Sequence, residues 1–443
     1  MKILKVVHTF LPDFYGGTEV LVNNLCERLS RKNKLDLFFC NPLAKTPDYS
    51  IKKKQFKGFI GWEVQKNIHK YKKFEETYLD KKIEEVFRLK LEELKPELVH
   101  FHHLIHLSAN LPNIAKEFNV PVVLTLHDFW FQCLSIKRVN LKGEMCTSIK
   151  AEECSACIKR KHQSNLFEKL LVGRLNNKSI LNVLKKVYLL KEDLSKKVFN
   201  NEKKIEIIRK RNDTLLKALN SCDVIIAPTK YLFNEFKEWG VNSDKLMYLA
   251  DGIEDKYFKN IEKSQSNKFR FAFIGAIVPE KGLHVLIDAF NKINNPDILL
   301  YVFGSLDCDK RYSKEIKEKC GLNERIIFKG TFPPTKIGKI FRSIDCLVLP
   351  SIWMENSPLV VKNALLAKTP VIASDIPGVQ DDINNNENGL LFEIKNDQDL
   401  KDKMLQMIKK NNYLRIKGNI KSPKTVKDNV MELEGIYNKL LDK

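Results

Sequence analysis

A stretch near the carboxyl end of the chain has the residue types and spacing of a phosphate-binding site. The apolar run 345–350 predicts a strand, Glu355 lies in the loop after it, and a helical pattern extends from Leu359 to Ala367. A helix that begins where a strand ends offers free N–H groups and a favourable dipole to an anion. In open α/β sheets, ligands bind outside these strand ends. The pattern predicts a diphosphate site, although an ordinary strand–helix–strand unit has the same pattern.

The start of this helix is the part that would meet the anion. Asn356 or Ser357 can cap the helix, and Pro358 suits its first position. A second apolar strand is predicted at 370–373, directly after the helix. We expect this strand to lie beside the first one in a parallel sheet.

The stretch from Trp353 to Ser374 resembles the donor-sugar motif of family 4 retaining glycosyltransferases (glycosyl transferases group 1), which have the GT-B fold. Their motif is Glu-x7-Glu, a helix of small residues and Gly-x-Pro-Val-Ile-Ala-Ser. Glu355 matches the first Glu, and Asn363 stands at the second. The resemblance implies that Glu355 positions the donor sugar and that Asn363, being uncharged, binds the ribose more weakly. It also implies that the start of the helix binds the donor, through Asn356, Ser357, Pro358 and Leu359.

Three other loops match donor-binding loops of the family. Lys281 matches the Lys that binds the donor diphosphate, whereas Ala276 stands where the family has Arg. A cation there opposes the charge that builds on the leaving diphosphate. Gly304 matches a glycine of the nucleotide side. Gly16 and Gly17, between the first strand and its helix, match a loop that faces the donor phosphates and the acceptor, although two glycines alone are also typical of a tight turn.

A histidine ends the buried strand pattern 122–126. His127 stands where family members place a His near the reacting carbon of the donor sugar, and His127-Asp-Phe-Trp130 resembles one subgroup. A core or capping histidine is the alternative. The strand before it ends in a cluster that suits either a metal site or the lining of the acceptor cleft, and we favour the cleft: His100, His102, His103 and His106.

Four cysteines follow within about 25 residues, in an order that is not a standard zinc-finger spacing. They are predicted to hold a structural zinc, with an iron–sulfur cluster or free thiols as alternatives. Relatives with the same His-Asp-Phe-Trp start have similar cysteines. By the resemblance, catalysis itself needs no metal or other cofactor. The four residues are Cys133, Cys146, Cys154 and Cys157.

The net charge of +21 suits an anionic partner. Residues 158–211 carry 16 Lys and Arg against 5 Asp and Glu. No nucleic-acid motif accompanies these charges, so we rank an anionic membrane surface above nucleic acid. The sequence has no uninterrupted apolar stretch of 18 residues and no signal peptide pattern. We therefore expect a cytoplasmic protein, peripheral at the inner face of the membrane.

Strand and helix patterns alternate along the chain, which predicts an α/β fold with parallel sheets. The helix patterns include Val20–Ser30 and Thr77–Leu94. The resemblance implies GT-B, with two Rossmann-like domains facing a central cleft. The predicted acceptor-side domain is 1–240, with a cysteine loop at 133–157 and a basic helical insertion at 158–211. The predicted nucleotide-sugar domain is 241–424, and a helix at 425–443 is expected to pack back on the first domain.

The function implied by the resemblance is transfer of a sugar from a nucleotide-diphosphate sugar to an acceptor hydroxyl, with retention at the anomeric carbon. The expected acceptor is a glycan or a lipid-linked molecule, in glycan or polysaccharide biosynthesis. Because Ala276 and Asn363 depart from the family motif, the alternative is a degenerate protein that binds a nucleotide sugar or glycan without efficient transfer.

Overall fold

The computed structural model describes residues 1–45, 48–71, 73–158, 201–259 and 263–442. Most of the predicted insertion 158–211 therefore lies outside the described residues. Contacts between Cα atoms divide the chain into two compact units. One contains Met1–Phe10, Lys34–Ile225 and Gly240–Lys245, and the other contains Leu11–Asn33, Ile226–Trp239 and Leu246–Lys443. The predicted domain boundaries stay a prediction.

The first sheet has eight strands in the order β3-β4-β2-β1-β5-β6-β7-β8. Strand β1 pairs in parallel with β2 on one side and with β5 on the other, so it lies in the middle of the sheet. Strand β3 pairs antiparallel with β4 at one edge. The strands are β1 (Lys2–Val6), β2 (Lys34–Asn41), β3 (Ile51–Gln55), β4 (Ile60–Gln65), β5 (Leu98–Phe101), β6 (Val122–Thr125), β7 (Val224–Ala227) and β8 (Leu246–Tyr248).

The second sheet has six strands in the order β11-β10-β9-β12-β13-β14. Neighbouring strands of this sheet are parallel, and the order reverses between β9 and β12, as in a dinucleotide-binding sheet. The strands are β9 (Phe269–Ile274), β10 (Ile298–Phe303), β11 (Ile326–Gly330), β12 (Cys346–Leu349), β13 (Val371–Ser374) and β14 (Gly389–Phe392).

Helices connect most of these strands, as parallel pairing requires. In the described part of the chain they are α1 (Gly17–Leu29), α2 (Lys81–Leu94), α3 (Leu111–Glu117), α4 (Ala151–Cys154), α5 (Asn201–Ser221), α6 (Lys230–Glu238), α7 (Leu283–Asn291), α8 (Lys310–Cys320), α9 (Ile337–Arg342), α10 (Leu359–Leu366), α11 (Pro377–Gln380), α12 (Asp397–Ile408), α13 (Lys410–Asn419) and α14 (Val426–Leu441).

Apolar packing covers both faces of the second sheet. Phe271 and Phe273 face a core that includes the apolar side of α7, whereas Ala272, between them in β9, faces a second core with α10. Because successive side chains of a strand point to opposite faces, a strand buried on both sides is a continuous apolar run. This explains why β9, β12 and β13 stand out in the sequence. The predicted α/β class with parallel sheets is confirmed.

Two helix starts differ from the predicted ones. The predicted helix at 77–94 begins only at Lys81, because Asp80 caps it through hydrogen bonds from the N–H groups of Lys82 and Ile83. The helix predicted from Val20 begins earlier, at Gly17, with Gly16 as its cap. Glycine is a poor helix former, so the pattern did not indicate a helical Gly17. The last helix, α14, packs against α1 and begins with a capping box between Thr425 and Asp428.

Candidate donor-binding site

The strand order of the second sheet brings two predicted site residues together. Lys281 ends a short 3-10 turn after β9, and Glu355 lies in the loop after β12, the strand that pairs with β9. Lys281 Nζ is 2.6 Å from Glu355 Oε1. This ion pair stands at the point where the strand order reverses, which is where open α/β sheets bind their ligands. The carboxylate is nearly buried, with 8% of the side chain exposed, whereas the Lys281 side chain is 25% exposed.

One oxygen of Glu355 accepts three hydrogen bonds. Besides Lys281, the Ser351 hydroxyl donates to Oε1 at 2.6 Å and the Trp353 indole N–H donates to it at 3.0 Å. The Lys281 ammonium also lies over the Trp353 ring, 5.1 Å from its centroid, in a cation–π contact. Trp353 therefore fixes both members of the ion pair. Ser351 and Trp353 were not among the predicted site residues, and their nearness to Glu355 in the sequence was the only signal for them.

Glycines let the loops of this site approach each other closely. Gly282 has φ of 68°, and a Cβ there would lie 1.8 Å from the Pro350 carbonyl oxygen. A Cβ on Gly378 would lie 1.9 Å from the Glu355 carbonyl oxygen. Gly304, predicted on the nucleotide side, follows β10, and a Cβ there would lie 2.2 Å from the carbonyl oxygen of Gly275. Side chains at these positions would push the loops that hold the ion pair apart.

The start of α10 differs from the prediction. Pro358 is the N-cap residue, not the first helical residue, and no side chain caps the helix. The predicted cap at Asn356 is wrong, because its amide oxygen accepts a hydrogen bond from the Thr229 hydroxyl at 2.8 Å. The predicted cap at Ser357 is wrong as well. Among the described residues no side chain caps α10, so N–H groups at its start can donate to an anion.

The other predicted donor-side residues lie around α10. Leu359 is its first residue, and Asn363 is partly exposed one turn later. A Cβ built on Gly17 would lie 3.8 Å from Leu359 Cδ1, so the start of α1 approaches the start of α10. Gly16 lies close to the Glu19 carboxylate, since a Cβ on Gly16 would be 2.4 Å from Glu19 Oε2. Ala276, which replaces the expected Arg, is exposed.

A buried carboxylate that the sequence analysis missed lies near this helix. Asp251 is 7% exposed, and burial raises its pKa to about 6, against the opposing effect of the Lys362 charge. Lys362 is itself paired with Asp382 at 2.9 Å. Nothing in the sequence singles out Asp251, because one acidic residue next to a glycine is no signal for burial.

The other unit holds His127, directly after β6. Its Nε2 lies 3.0 Å from His102 Nδ1. Burial lowers the pKa of His127 to about 3, with a further lowering by His103, so the ring is neutral at neutral pH. A neutral ring can donate or accept a hydrogen bond but is not a proton donor of imidazolium type. Next to it, Asp128 accepts a hydrogen bond from the Trp130 N–H at 2.8 Å, which shapes the turn after the strand.

The histidine cluster predicted after β5 is formed, and it does not have the arrangement of a metal site. Among the described residues, no three His, Cys, Asp or Glu side chains are placed to hold one ion. His100 and His102 instead contact Lys5, His103 contacts Asp128, and the His106 carbonyl oxygen accepts a hydrogen bond from Lys66 at 2.9 Å.

The four cysteines of the predicted cysteine loop line one cavity. They form no disulfides, and the loop between them closes through a short antiparallel bridge of Val139 and Met145. Burial and the neighbouring thiols raise the pKa of Cys154 to about 12 and also raise that of Cys146. The thiols are near each other but do not form a ligand set as they stand, and the structural zinc stays a prediction.

Comparisons with known proteins show the family of the chain. The family described as "Glycosyl transferases group 1" matches residues 255–422, and "Glycosyltransferase Family 4" matches residues 15–147. An uncharacterized glycosyltransferase of Methanocaldococcus jannaschii is 26% identical over 195 residues, 41% of this chain and 49% of that protein. The poly(ribitol-phosphate) alpha-N-acetylglucosaminyltransferase of Staphylococcus aureus is 31% identical over 139 residues, 30% of this chain and 27% of that protein. The chain thus spans about half or less of the length of these curated relatives.

Solved structures share the fold over the whole chain. Anabaena HepE in complex with UDP and glucose has a TM-score of 0.63 at 14% identity, covering 99% of both chains. Sucrose-phosphate synthase from Thermosynechococcus elongatus has a TM-score of 0.66 at 15% identity, also covering 99% of both chains. The two family matches together extend over more than half of the chain. The chain therefore belongs to the glycosyl transferases group 1 family, of the family 4 type, and has the predicted GT-B fold.

Proposed function

We propose that the protein transfers a sugar from a nucleotide-diphosphate sugar to an acceptor hydroxyl, with retention of anomeric configuration. The observation that carries this proposal is the Lys281–Glu355 pair, 2.6 Å apart, at the reversal of strand order in the second sheet. The complex of HepE with UDP and glucose supports a nucleotide-sugar donor. The relatives named above are glycosyltransferases, so they do not favour a degenerate binding protein.

Lys281 and the start of α10 would bind the donor diphosphate. The ammonium supplies a charge, and the uncapped N–H groups of α10 supply oriented hydrogen bonds. Both interactions strengthen as the bond to the sugar breaks and negative charge collects on the leaving diphosphate. With Ala276 in place of Arg, Lys281 is the cation that the family pattern provides in this loop.

Glu355 would orient the sugar. One of its oxygens already accepts three hydrogen bonds, so the carboxylate is held in a single position. The other oxygen can then accept from a sugar hydroxyl without a further loss of side-chain freedom. His127 would contact the sugar as a neutral ring, which agrees with its low pKa.

The resemblance implies that the leaving diphosphate takes the proton of the acceptor hydroxyl. In that step the acceptor oxygen bonds to the anomeric carbon on the face that the diphosphate leaves. The proton passes to a diphosphate oxygen, and nucleoside diphosphate departs. No metal or second carboxylate is needed in this scheme. We propose a glycan or lipid-linked acceptor, and the net charge of +21 suits an anionic membrane surface as its location.

No helix among the described residues has the length and apolarity to cross a bilayer. We attribute the proposed association with a membrane to surface charge. Vesicles with and without anionic lipid test this part of the proposal. We expect binding that requires the anionic lipid and weakens as salt rises.

The stereochemistry can be tested before the acceptor is known, because sugar transferases also transfer slowly to water. The protein is incubated in EDTA with UDP-, GDP- and ADP-sugars of α configuration, and the anomer of the released sugar is followed by proton NMR before it equilibrates. We expect one donor to release the α anomer first. Initial release of the β anomer, or turnover of none of the donors by folded protein, would overturn the proposal.

Lys281→Met is the variant that ties turnover to the site. Lys314→Met is its control, since Lys314 belongs to the same unit and its side chain is 80% exposed. We expect Lys281→Met to lower turnover by about tenfold to a hundredfold, the effect of losing a hydrogen bond to a charged group, and Lys314→Met to leave it unchanged.

A further inference from the structure

A charged residue lies wholly inside the first sheet. Lys5 is in β1 and is 0% exposed. Its Nζ lies 2.8 Å from His100 Nδ1 and 3.1 Å from His102 Nε2. Lys5 and His100 are direct partners across β1 and β5. A buried ammonium is costly unless it is hydrogen-bonded, so these two rings are part of what holds it there.

The direction of the hydrogen bonds follows from the chemistry of the ammonium. A charged Lys donates and cannot accept, so His100 Nδ1 and His102 Nε2 are acceptors. A neutral His102 then carries its proton on Nδ1, which lies 3.0 Å from His127 Nε2. His127 Nε2 accepts this proton, and His127 in turn carries its own proton on Nδ1. The branch through His100 ends at the Thr125 hydroxyl, 2.8 Å from His100 Nε2.

The imidazole rings of His100, His102 and His127 are neutral, which the assignment of these hydrogen-bond directions requires. Burial lowers the pKa of His100 and His102 well below the usual value, and the nearby charge of Lys5 lowers both further. The same two effects, with His103, lower the pKa of His127 to about 3. Each ring therefore has one proton at neutral pH, and its position is set by the neighbour that donates to it.

His103 takes part in a second set of hydrogen bonds, beside the one that joins Lys5, His102 and His127. His103 Nδ1 accepts the Ile105 N–H at 3.0 Å, so its Nε2–H donates to Asp128 Oδ2 at 2.9 Å. This branch fixes Asp128, the residue after His127, and does not set the direction of the His102–His127 hydrogen bond. The tautomer of His127 is thus attributed to Lys5 and His102.

We propose that Lys5 and His102 are positioning residues that hold His127 in the tautomer protonated on Nδ1. The tautomer follows from the hydrogen-bond geometry and the neutral state of the rings, whereas its importance for transfer rests on the proposed function. In that function, His127 offers an N–H donor to a sugar oxygen, and its Nε2 is engaged by His102. Neither Lys5 nor His102 has to touch the substrate for its loss to change the rate.

The test is the protonation state of His127 in the whole protein, by nitrogen NMR with 15N-labelled histidine. An imidazole nitrogen without a proton resonates far from one with a proton, so each tautomer has its own pattern. His127→Gln assigns the resonance among the nine histidines. His284, which contacts the Tyr312 hydroxyl in the other unit, is the internal reference.

Two variants of His102 separate hydrogen bonding from packing. In His102→Asn the side-chain amide nitrogen stands near the place of Nδ1 and keeps a donor, whereas His102→Leu has no donor. We expect wild type and His102→Asn to have His127 protonated on Nδ1, and His102→Leu to have a mixture of tautomers. His127 protonated on Nε2 in wild type, or the same pattern in wild type and His102→Leu, would overturn the proposal.

Donor turnover supplies the second measurement. A wrong tautomer of a histidine that contacts substrate lowers kcat, and we expect about a tenfold or larger loss in His102→Leu with donor KM little changed. His102→Asn should recover most of it. If His102→Leu does not fold, the wild-type tautomer and His102→Asn still decide the proposal. If the predicted tautomer is observed but no nucleotide sugar is turned over, the proposed function fails while the positioning role stands.

Discussion

Replacing Glu355 by Gln should change nucleotide binding and turnover in opposite directions. Gln keeps the size of the side chain and one oxygen for Ser351 and Trp353, but it removes the charge that holds Lys281 at 2.6 Å. A donor diphosphate must compete with Glu355 for the Lys281 ammonium. Without the carboxylate, the ammonium is released to the diphosphate.

The expected magnitude follows from the exposure of the pair. With 25% of the Lys281 side chain exposed, the pair is partly screened, and its contribution is discounted to about 1 kcal/mol. Releasing Lys281 should therefore raise the affinity for a nucleoside diphosphate by about fivefold. Turnover of the nucleotide sugar should fall by about a hundredfold, because the sugar loses a charged, oriented acceptor.

Calorimetric titration with nucleoside diphosphates measures the first effect, and donor hydrolysis measures the second. A double-mutant cycle with Lys281→Met separates release of Lys281 from simple removal of a negative charge. The gain in affinity should vanish in the Lys281→Met background. Glu318→Gln, at an exposed pair with Lys314, is the control and should change neither quantity. Weaker diphosphate binding in Glu355→Gln, or a gain that persists without Lys281, would refute this reasoning.

Three further predictions concern stability and reactivity. Gly282→Ala should lower the free energy of unfolding by more than about 3 kcal/mol, because its Cβ would lie 1.8 Å from the Pro350 oxygen. Gly330 has a similar φ of 69° but open space around it, so Gly330→Ala should cost about 1 kcal/mol. Equal losses of stability in urea unfolding would contradict the clash at Gly282. The pKa of Asp251 is about 6 in the folded protein, above its unfolded value, so the stability of wild type should fall as pH rises through about 4 to 6. The stability of Asp251→Asn relative to wild type should therefore increase by roughly 2–3 kcal/mol between pH 4 and 7.5. A difference between the two proteins that does not change with pH would contradict the burial effect. Cys154, with a pKa of about 12, should react with iodoacetamide far more slowly in folded than in unfolded protein at pH 7.5, and comparable rates by mass spectrometry would contradict it.

The fold could be predicted because its strands are continuous apolar runs. Strands β9, β12 and β13 are buried on both faces, so no alternation with polar residues obscures them. Lys281 and Glu355 could be predicted as site residues for a related reason. Both follow such strands, and the carboxyl ends of neighbouring parallel strands meet at one edge of the sheet.

The supporting residues could not be predicted, because they depend on packing between distant segments. A lysine in a strand is ordinarily an exposed residue, and only the partners in β5 explain why Lys5 is buried. Asn356 has the residue type of a helix cap, but its side chain instead accepts a hydrogen bond from Thr229, 127 residues away in the sequence. Asp251 gave no signal at all, since its burial comes from tertiary structure.

Binding of a nucleoside diphosphate at the Lys281–Glu355 pair is the central claim, and one titration tests it most directly. Wild type, Lys281→Met and the control Lys314→Met are titrated in EDTA with UDP, GDP and ADP by calorimetry. We predict micromolar binding of one of these by wild type and Lys314→Met, and a tenfold to hundredfold loss in Lys281→Met, as expected for a charge-assisted hydrogen bond of about 1.5–3 kcal/mol. No binding by the folded wild-type protein, or equal affinity in Lys281→Met, would contradict the account.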